Sequence, residues 1–211
     1  MINIAVLVSG GGTNLQALID AEQNGLIKNG KISLVIASNH KAYALERAAN
    51  NSIKSMVISK KECLSSDEFD QKMISALQDN HIDLIVLAGY MAILSSEVTS
   101  LFAYKIINVH PALIPSFCGE GFYGLHVHEA VLAYGVKLTG ATVHFVNEIA
   151  DGGAIILQKA VEIKNGDTPE LLQKRVMEEA EWEILPEAVS LFCEGKIKIV
   201  DNKVVIMEEK Q

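Results

Sequence analysis

The chain has 211 residues, 49% hydrophobic and 21% charged, which suits one globular domain able to bury roughly 70% of the surface its unfolded form exposes. A formal charge of −8 argues against nonspecific nucleic-acid binding, which needs a basic footprint. No apolar run reaches the length of a membrane span, and Cys63, Cys118 and Cys193 form no C-x-x-C pair, so reduced thiols in a cytoplasm are expected.

Met1 leads straight into Ile2–Val8 with no basic segment before it, which reads as a first strand rather than a signal peptide. A glycine loop and a helix over 13–23 follow, then a strand at 32–37 and a helix at 43–50. Residues 54–58 are short and extended. Ser66-Asp67-Glu68 opens a helix to about Asp79, with Ser66 as its N-cap and acids in its first turn. Residues 82–88 form a near-continuous apolar strand of the kind buried on both faces. A short helix at 95–101 and a fifth strand at 105–109 complete a β-α rhythm that predicts an α/β fold: a doubly wound, mostly parallel sheet flanked by helices. The pattern then changes to a loop over 111–124 rich in Pro, Gly and aromatics, long enough to suggest function. A helix at 127–134, strands at 139–146 and 154–163, a long helix from Thr168 to about Phe192 and a terminal hairpin around Asp201-Asn202 close the chain. No repeat or linker divides it, so residues 1–211 read as one domain.

Asn108-Val109-His110-Pro111 ends an apolar run and is answered downstream by Asp151-Gly152-Gly153. Residues two apart on a strand point to the same side. Asn108 would supply an amide donor and His110 an imidazole active near neutral pH. With Asp151 as a third member the set suits acyl transfer, although Asp before two glycines is also a plain turn signature.

Ser9-Gly10-Gly11-Gly12-Thr13-Asn14 presents backbone amides at a helix start and reads as a monophosphate site. It is not a dinucleotide fingerprint, because Leu15 stands where a third small residue belongs and no acid ends the second strand; nor is there a P-loop lysine. His126-x-His128 could offer two ligands from an extended segment. No further histidine or cysteine set completes a site, so no metal is expected. His144 lies mid-strand on the same period-2 face as Thr142, which makes it a candidate to line the cleft, while His40 and His81 read as loop and surface residues.

Five blocks taken together, 9–17, 87–94, 107–115, 139–146 and 151–158, resemble the phosphoribosylglycinamide formyltransferases, a folate-dependent family of purine synthesis. The resemblance runs in order from Ile2 to about Phe192. It implies a formyltransferase catalytic domain that moves the formyl group of 10-formyltetrahydrofolate to the amine of glycinamide ribonucleotide, through a tetrahedral intermediate. By that resemblance Gly12, Thr13 and Asn14 would hold the substrate phosphate, and Glu181 would contact the glycinamide amine or ribose. Met91, Ala92, Ile93 and Leu94 would contact the pterin, with Asn108, His144 and Asn147 completing the folate wall. Asn108 would hold the oxyanion, His110 would move the proton, and Asp151 would raise the His110 pKa.

The chain departs from the family pattern at Ala92, where an Arg is usual, and at Ser66, near a usual basic residue; both bear on the folate tail. It also carries a longer 111–124 loop and one extra residue between Arg175 and Pro186. Small-molecule substrates, no nucleic acid, no membrane and a cytoplasmic setting are expected, with a homodimer left open. The alternatives weighed are a formyltetrahydrofolate hydrolase, which usually has an added N-terminal regulatory domain, a tRNA formyltransferase, which needs a basic C-terminal domain, and a noncatalytic nucleotide-binding module.

Overall fold

The computed structural model describes residues 1–207. A sheet of seven strands is built from β1 (Ile2–Val8), β2 (Gly30–Ala37), β3 (Lys54–Val57), β4 (Leu84–Leu87), β5 (Ile106–His110), β6 (Leu138–Phe145) and β7 (Ile155–Glu162). Their order across the sheet is β3-β2-β1-β4-β5-β6-β7. The first five run parallel, β6 runs antiparallel to β5, and β7 runs antiparallel to β6, back in the direction of the first five.

Alternate residues of each central strand feed opposite faces, as the two-residue period of a strand requires. Ile4, Val6 and Val8 of β1 join one core, with Val35 of β2 and Val86 of β4. Ala5 and Leu7 join the other, with Leu34, Ile36 and Ile85. Helices α1 (Thr13–Gln23), α2 (Ala44–Asn50), α5 (Leu125–Tyr134), α6 (Pro169–Val176) and α7 (Trp182–Cys193) cover the first face. Helices α3 (Ser66–Asp79) and α4 (Ser96–Leu101) cover the second. Two-sided cover explains why the 82–88 segment reads as continuously apolar.

Some local expectations shift. Ser65, not Ser66, caps α3: its extended backbone (φ −149°, ψ 166°) lets its side chain accept from the Glu68 amide. The long helix after Thr168 is interrupted by a π-turn over Met177–Glu181. A π-turn holds more residues per turn than an α-helix and can absorb an inserted residue without breaking the rod; it lies within the 175–186 stretch where an extra residue is expected. The terminal hairpin, β8 (Ile197–Val200) and β9 (Lys203–Ile206), forms a separate two-stranded sheet. Asp201 and Asn202 at its tip both have positive φ (48° and 59°), the tight turn that Asx residues tolerate.

The sheet order reverses between β1 and β4, where one crossover leaves toward β2 and the other toward β5. In open α/β sheets ligands bind in the crevice that such a reversal opens beyond the C-terminal strand ends.

Candidate active site

That crevice is a cleft of about 980 Å³. Its floor is the ends of β4 and β5, and its walls are the loop after β1, residues 87–94, residues 119–124, the loop 146–151 and one side of the 173–181 helical stretch. All the residues singled out in the sequence as catalytic or binding line it: Gly12, Thr13, Asn14, Met91, Ala92, Ile93, Leu94, Asn108, His110, His144, Asn147, Asp151 and Glu181. Thr142 does not. It is fully buried, donating to the Ala112 carbonyl at 2.7 Å and accepting from the Ile114 amide at 3.1 Å and from Gln158 at 2.9 Å, which pins the chain as it leaves β5. Ser66 does not line the cleft either.

At one end α1 begins with no side-chain cap: Gly12 is its N-cap residue, at φ 70°. The first amides of a helix lack intrahelical partners, and here they carry the helix dipole toward the cleft. A Cβ on Gly12 would lie 2.7 Å from the Ala44 Cβ, so α2 packs against the turn that presents those amides. Ser9 ties this loop to the next: its hydroxyl accepts from the Met91 amide and from Ser38, both at 2.8 Å. Beside the turn, Asn14 Nδ2 donates to Glu181 Oε2 at 2.7 Å. Burial pushes the Glu181 carboxyl up to about 7, with the Asn14 amide offsetting only part of that. The other amide atom, Asn14 Oδ1, is buried without a protein partner, as are Tyr90 Oη and His128 Nδ1, all on residues lining the cleft. Buried polar atoms are normally paired, so these mark where a polar ligand would be received.

The middle of the cleft holds the Asn108, His110 and Asp151 set. Asn108 and His110 project from β5 on the same side, as their spacing required. Asp151 reaches them because it sits at φ 53° in a turn closed by Gly152 and Gly153; a Cβ on Gly153 would fall 1.7 Å from the Phe145 carbonyl oxygen. Asp151 Oδ2 lies 3.5 Å from His110 Nδ1, and Oδ1 lies 3.6 Å from His144 Nε2. The other ring atom of His110, Nε2, donates to the Phe117 carbonyl at 2.8 Å. His144 Nδ1 meets the Phe145 carbonyl at 2.8 Å, and with the proton on that nitrogen its Nε2 accepts from Asn108 Nδ2 at 3.2 Å. His144 therefore orients Asn108, whose second amide hydrogen remains for a ligand.

Burial pulls the His110 pKa down and His144 adds to that. The Asp151 charge and the Phe117 carbonyl act the other way without reversing the net shift. The expected upward influence of Asp151 is thus present, but desolvation outweighs it and the ring is neutral near pH 7. Burial also acts to raise the Asp151 pKa, but the two imidazoles and the Gly119 amide together hold it below the ordinary carboxylate range.

His126 and His128 lie on α5 rather than on an extended segment. Two residues apart on a helix is about 200° of rotation, so they face opposite ways: His126 toward solvent, where it meets Glu129, and His128 into the cleft wall. They cannot chelate one ion together. Burial and the neighbouring His110 push the His128 pKa down to about 4. Among the described residues no group of three His, Cys, Asp or Glu side chains is placed to hold a metal, and no helix is long and apolar enough to cross a membrane. Sequence reading weighed His128 only as a metal ligand, and missed the roles of the Phe117 carbonyl, the Gly119 amide and the Ser9 hydroxyl. Only His128 left a trace, as a histidine between two buried valines (Val127 and Val131).

Residues 2–189 match the formyl transferase family model. The chain belongs to this family. It is 43% identical to the phosphoribosylglycinamide formyltransferase of Haemophilus influenzae over 96% of its own length and 92% of that protein's. It is 36% identical to the enzyme of the same name from Escherichia coli, covering 95% of this chain and 92% of the other. Its fold superimposes on the crystal structure of glycinamide ribonucleotide transformylase 1 from Symbiobacterium toebii with a TM-score of 0.92 at 40% identity, covering 99% and 95% of the two chains. The matched residues 2–189 take in every residue that lines the cleft.

Proposed function

We propose that this chain, read as one catalytic domain over residues 1–211, transfers the formyl group of 10-formyltetrahydrofolate to the amine of glycinamide ribonucleotide. The observation that carries the proposal is the meeting, in one cleft, of an uncapped helix N-terminus with an amide donor, a buried imidazole and a carboxylate at 3.5 Å from it. The amides of Gly12, Thr13 and Asn14 would take the phosphate, for which no lysine or arginine lines the cleft among the described residues. Glu181 and the unpaired Asn14 Oδ1 would meet the ribose hydroxyls or the glycinamide nitrogen. The half-exposed Met91 and the more exposed Ile93, with Ala92 and Leu94, form an apolar wall beside Asn147 that suits a flat heterocycle such as the pterin.

In this reading the amine nitrogen bonds to the formyl carbon while Asn108 donates its free amide hydrogen to the developing oxyanion. The proton lost by the amine goes to Nδ1 of His110, and the imidazolium so formed is stabilised by Asp151. Breakage of the bond between the formyl carbon and N10 follows, with His110 returning the proton to that nitrogen. Folate and ribonucleotide enter as substrates, and the scheme calls for no metal.

The test is deformylation of 10-formyltetrahydrofolate followed by absorbance with and without glycinamide ribonucleotide. Formyl loss that requires the ribonucleotide supports the reading. Loss at the same rate without it would indicate transfer to water and overturn the assigned acceptor.

A further inference from the structure

His110 and Asp151 are both held by the backbone of one loop that takes no part in the proposed chemistry. His110 Nε2 donates to the Phe117 carbonyl and the Gly119 amide donates to Asp151 Oδ2, each at 2.8 Å. Phe117 has φ 51°, a conformation that a bulky residue keeps only where its surroundings hold it. Two rings supply the hold: Phe122 meets Phe117 with centroids 6.3 Å apart and Tyr134 with centroids 5.8 Å apart, both nearly edge-on. Tyr134 sits at the end of α5 and is 79% exposed, so its ring contributes to this contact without filling the core.

A neutral imidazole carries one N–H, and the stronger acceptor contact decides which nitrogen bears it. Two acceptors compete for the His110 proton. The Phe117 carbonyl, at 2.8 Å from Nε2, favours Nε2–H; Asp151, at 3.5 Å from Nδ1, favours Nδ1–H. The closer contact wins as long as Phe117 stays seated.

We propose that the contact between Phe117 and Tyr134 is a positioning clasp that keeps the proton of His110 on Nε2 and so leaves Nδ1, the edge beside Asp151, as the basic atom. Withdrawal of the carbonyl hands the proton to the Nδ1 side and turns the lone pair away from Asp151. The consequence for turnover rests on the formyl-transfer reading; the tautomer itself is a property of the free chain.

The experiment is NMR of the full chain labelled with 15N-histidine, using two-bond ring correlations to read the tautomer of His110 at neutral pH. The unmodified chain is expected to show Nε2–H, Tyr134→Ala a raised share of Nδ1–H, and Tyr134→Phe the original state. A wrong tautomer can cost up to ~10⁴ in kcat, so partial release is expected to lower kcat about tenfold, with KM for both substrates little changed. An unmodified chain with the proton on Nδ1, or a Tyr134→Ala variant that keeps Nε2–H, overturns the clasp, and a shifted tautomer with unaltered kcat overturns its role in turnover. If the tautomer shifts but no variant transfers formyl groups, the clasp stands and the assigned reaction fails.

Discussion

Substitution of Gly12 by alanine isolates the part of the site that is pure backbone. Gly12 has φ 70°, and a Cβ there would lie 2.7 Å from the Ala44 Cβ and 2.9 Å from the Ala44 Cα. The left-handed conformation costs an L-residue about 1–2 kcal/mol. The overlap cannot be relieved by a flexible side chain because its partners belong to the root of α2, and overpacking of this kind adds roughly 1–3 kcal/mol. The two together predict a loss of about 2–5 kcal/mol, or roughly 4–20 °C in Tm for a chain of this size. If the turn escapes by shifting, the first amides of α1 tilt, and the KM for glycinamide ribonucleotide is expected to rise about tenfold while folate affinity is kept. Gly11→Ala is the control, since its Cβ meets nothing within 4 Å. Differential scanning calorimetry and steady-state kinetics on both variants check the reasoning. Equal Tm values for the two, with equal KM for the ribonucleotide, would refute it.

His110→Ala is expected to lower turnover by roughly 10²–10⁴ while both substrates still bind, because the ring moves a proton; calorimetric titration beside a rate measurement separates the two, and near-normal turnover would remove His110 from the mechanism. Asp151→Asn removes the charge that supports imidazolium at His110, so the already depressed pKa of that ring should fall further; an unchanged NMR titration would show the pair to be uncoupled. His128 has an ordinary value of 6.5 and a folded value of about 4. Between those values the unfolded chain binds the proton and the folded chain resists it, so stability falls as the pH drops through that window. The loss is about 3 kcal/mol by pH 4, and urea unfolding at pH 7 and pH 4.5 should show a distinctly smaller pH dependence in His128→Gln. Equal dependence in both chains would mean that His128 is not buried in its neutral form.

The fold was legible in the sequence because hydrophobic periodicity and two-sided burial leave direct marks: Ile2–Val8 and the run at 82–88 are apolar at every position that packs. The Asn108 and His110 pair was legible for an equally local reason, the two-residue period of a strand. What escaped depends on backbone groups or on conformations that composition does not encode. Ser65 and Ser66 are chemically the same cap, and only the extended backbone at 65 decides between them. His126 and His128 read as one pair until the helix start at Leu125 turns them apart. The Phe117 carbonyl and Gly119 amide carry no signature at all, since every residue but proline owns the same donor and acceptor. The π-turn at 177–181 has no local signature in the sequence.

The most direct measurement is the rate of formyl loss from 10-formyltetrahydrofolate in the presence of glycinamide ribonucleotide, for the unmodified chain and for Asn108→Ala. Removal of one oxyanion donor costs about 2.7–4 kcal/mol of barrier, or roughly 10²–10³ in kcat. A rate that depends on the ribonucleotide and falls by that factor in the variant, with the fold intact by circular dichroism, is the expected result. A variant that turns over as fast as the unmodified chain would place the chemistry elsewhere in the cleft and contradict the assignment of this site.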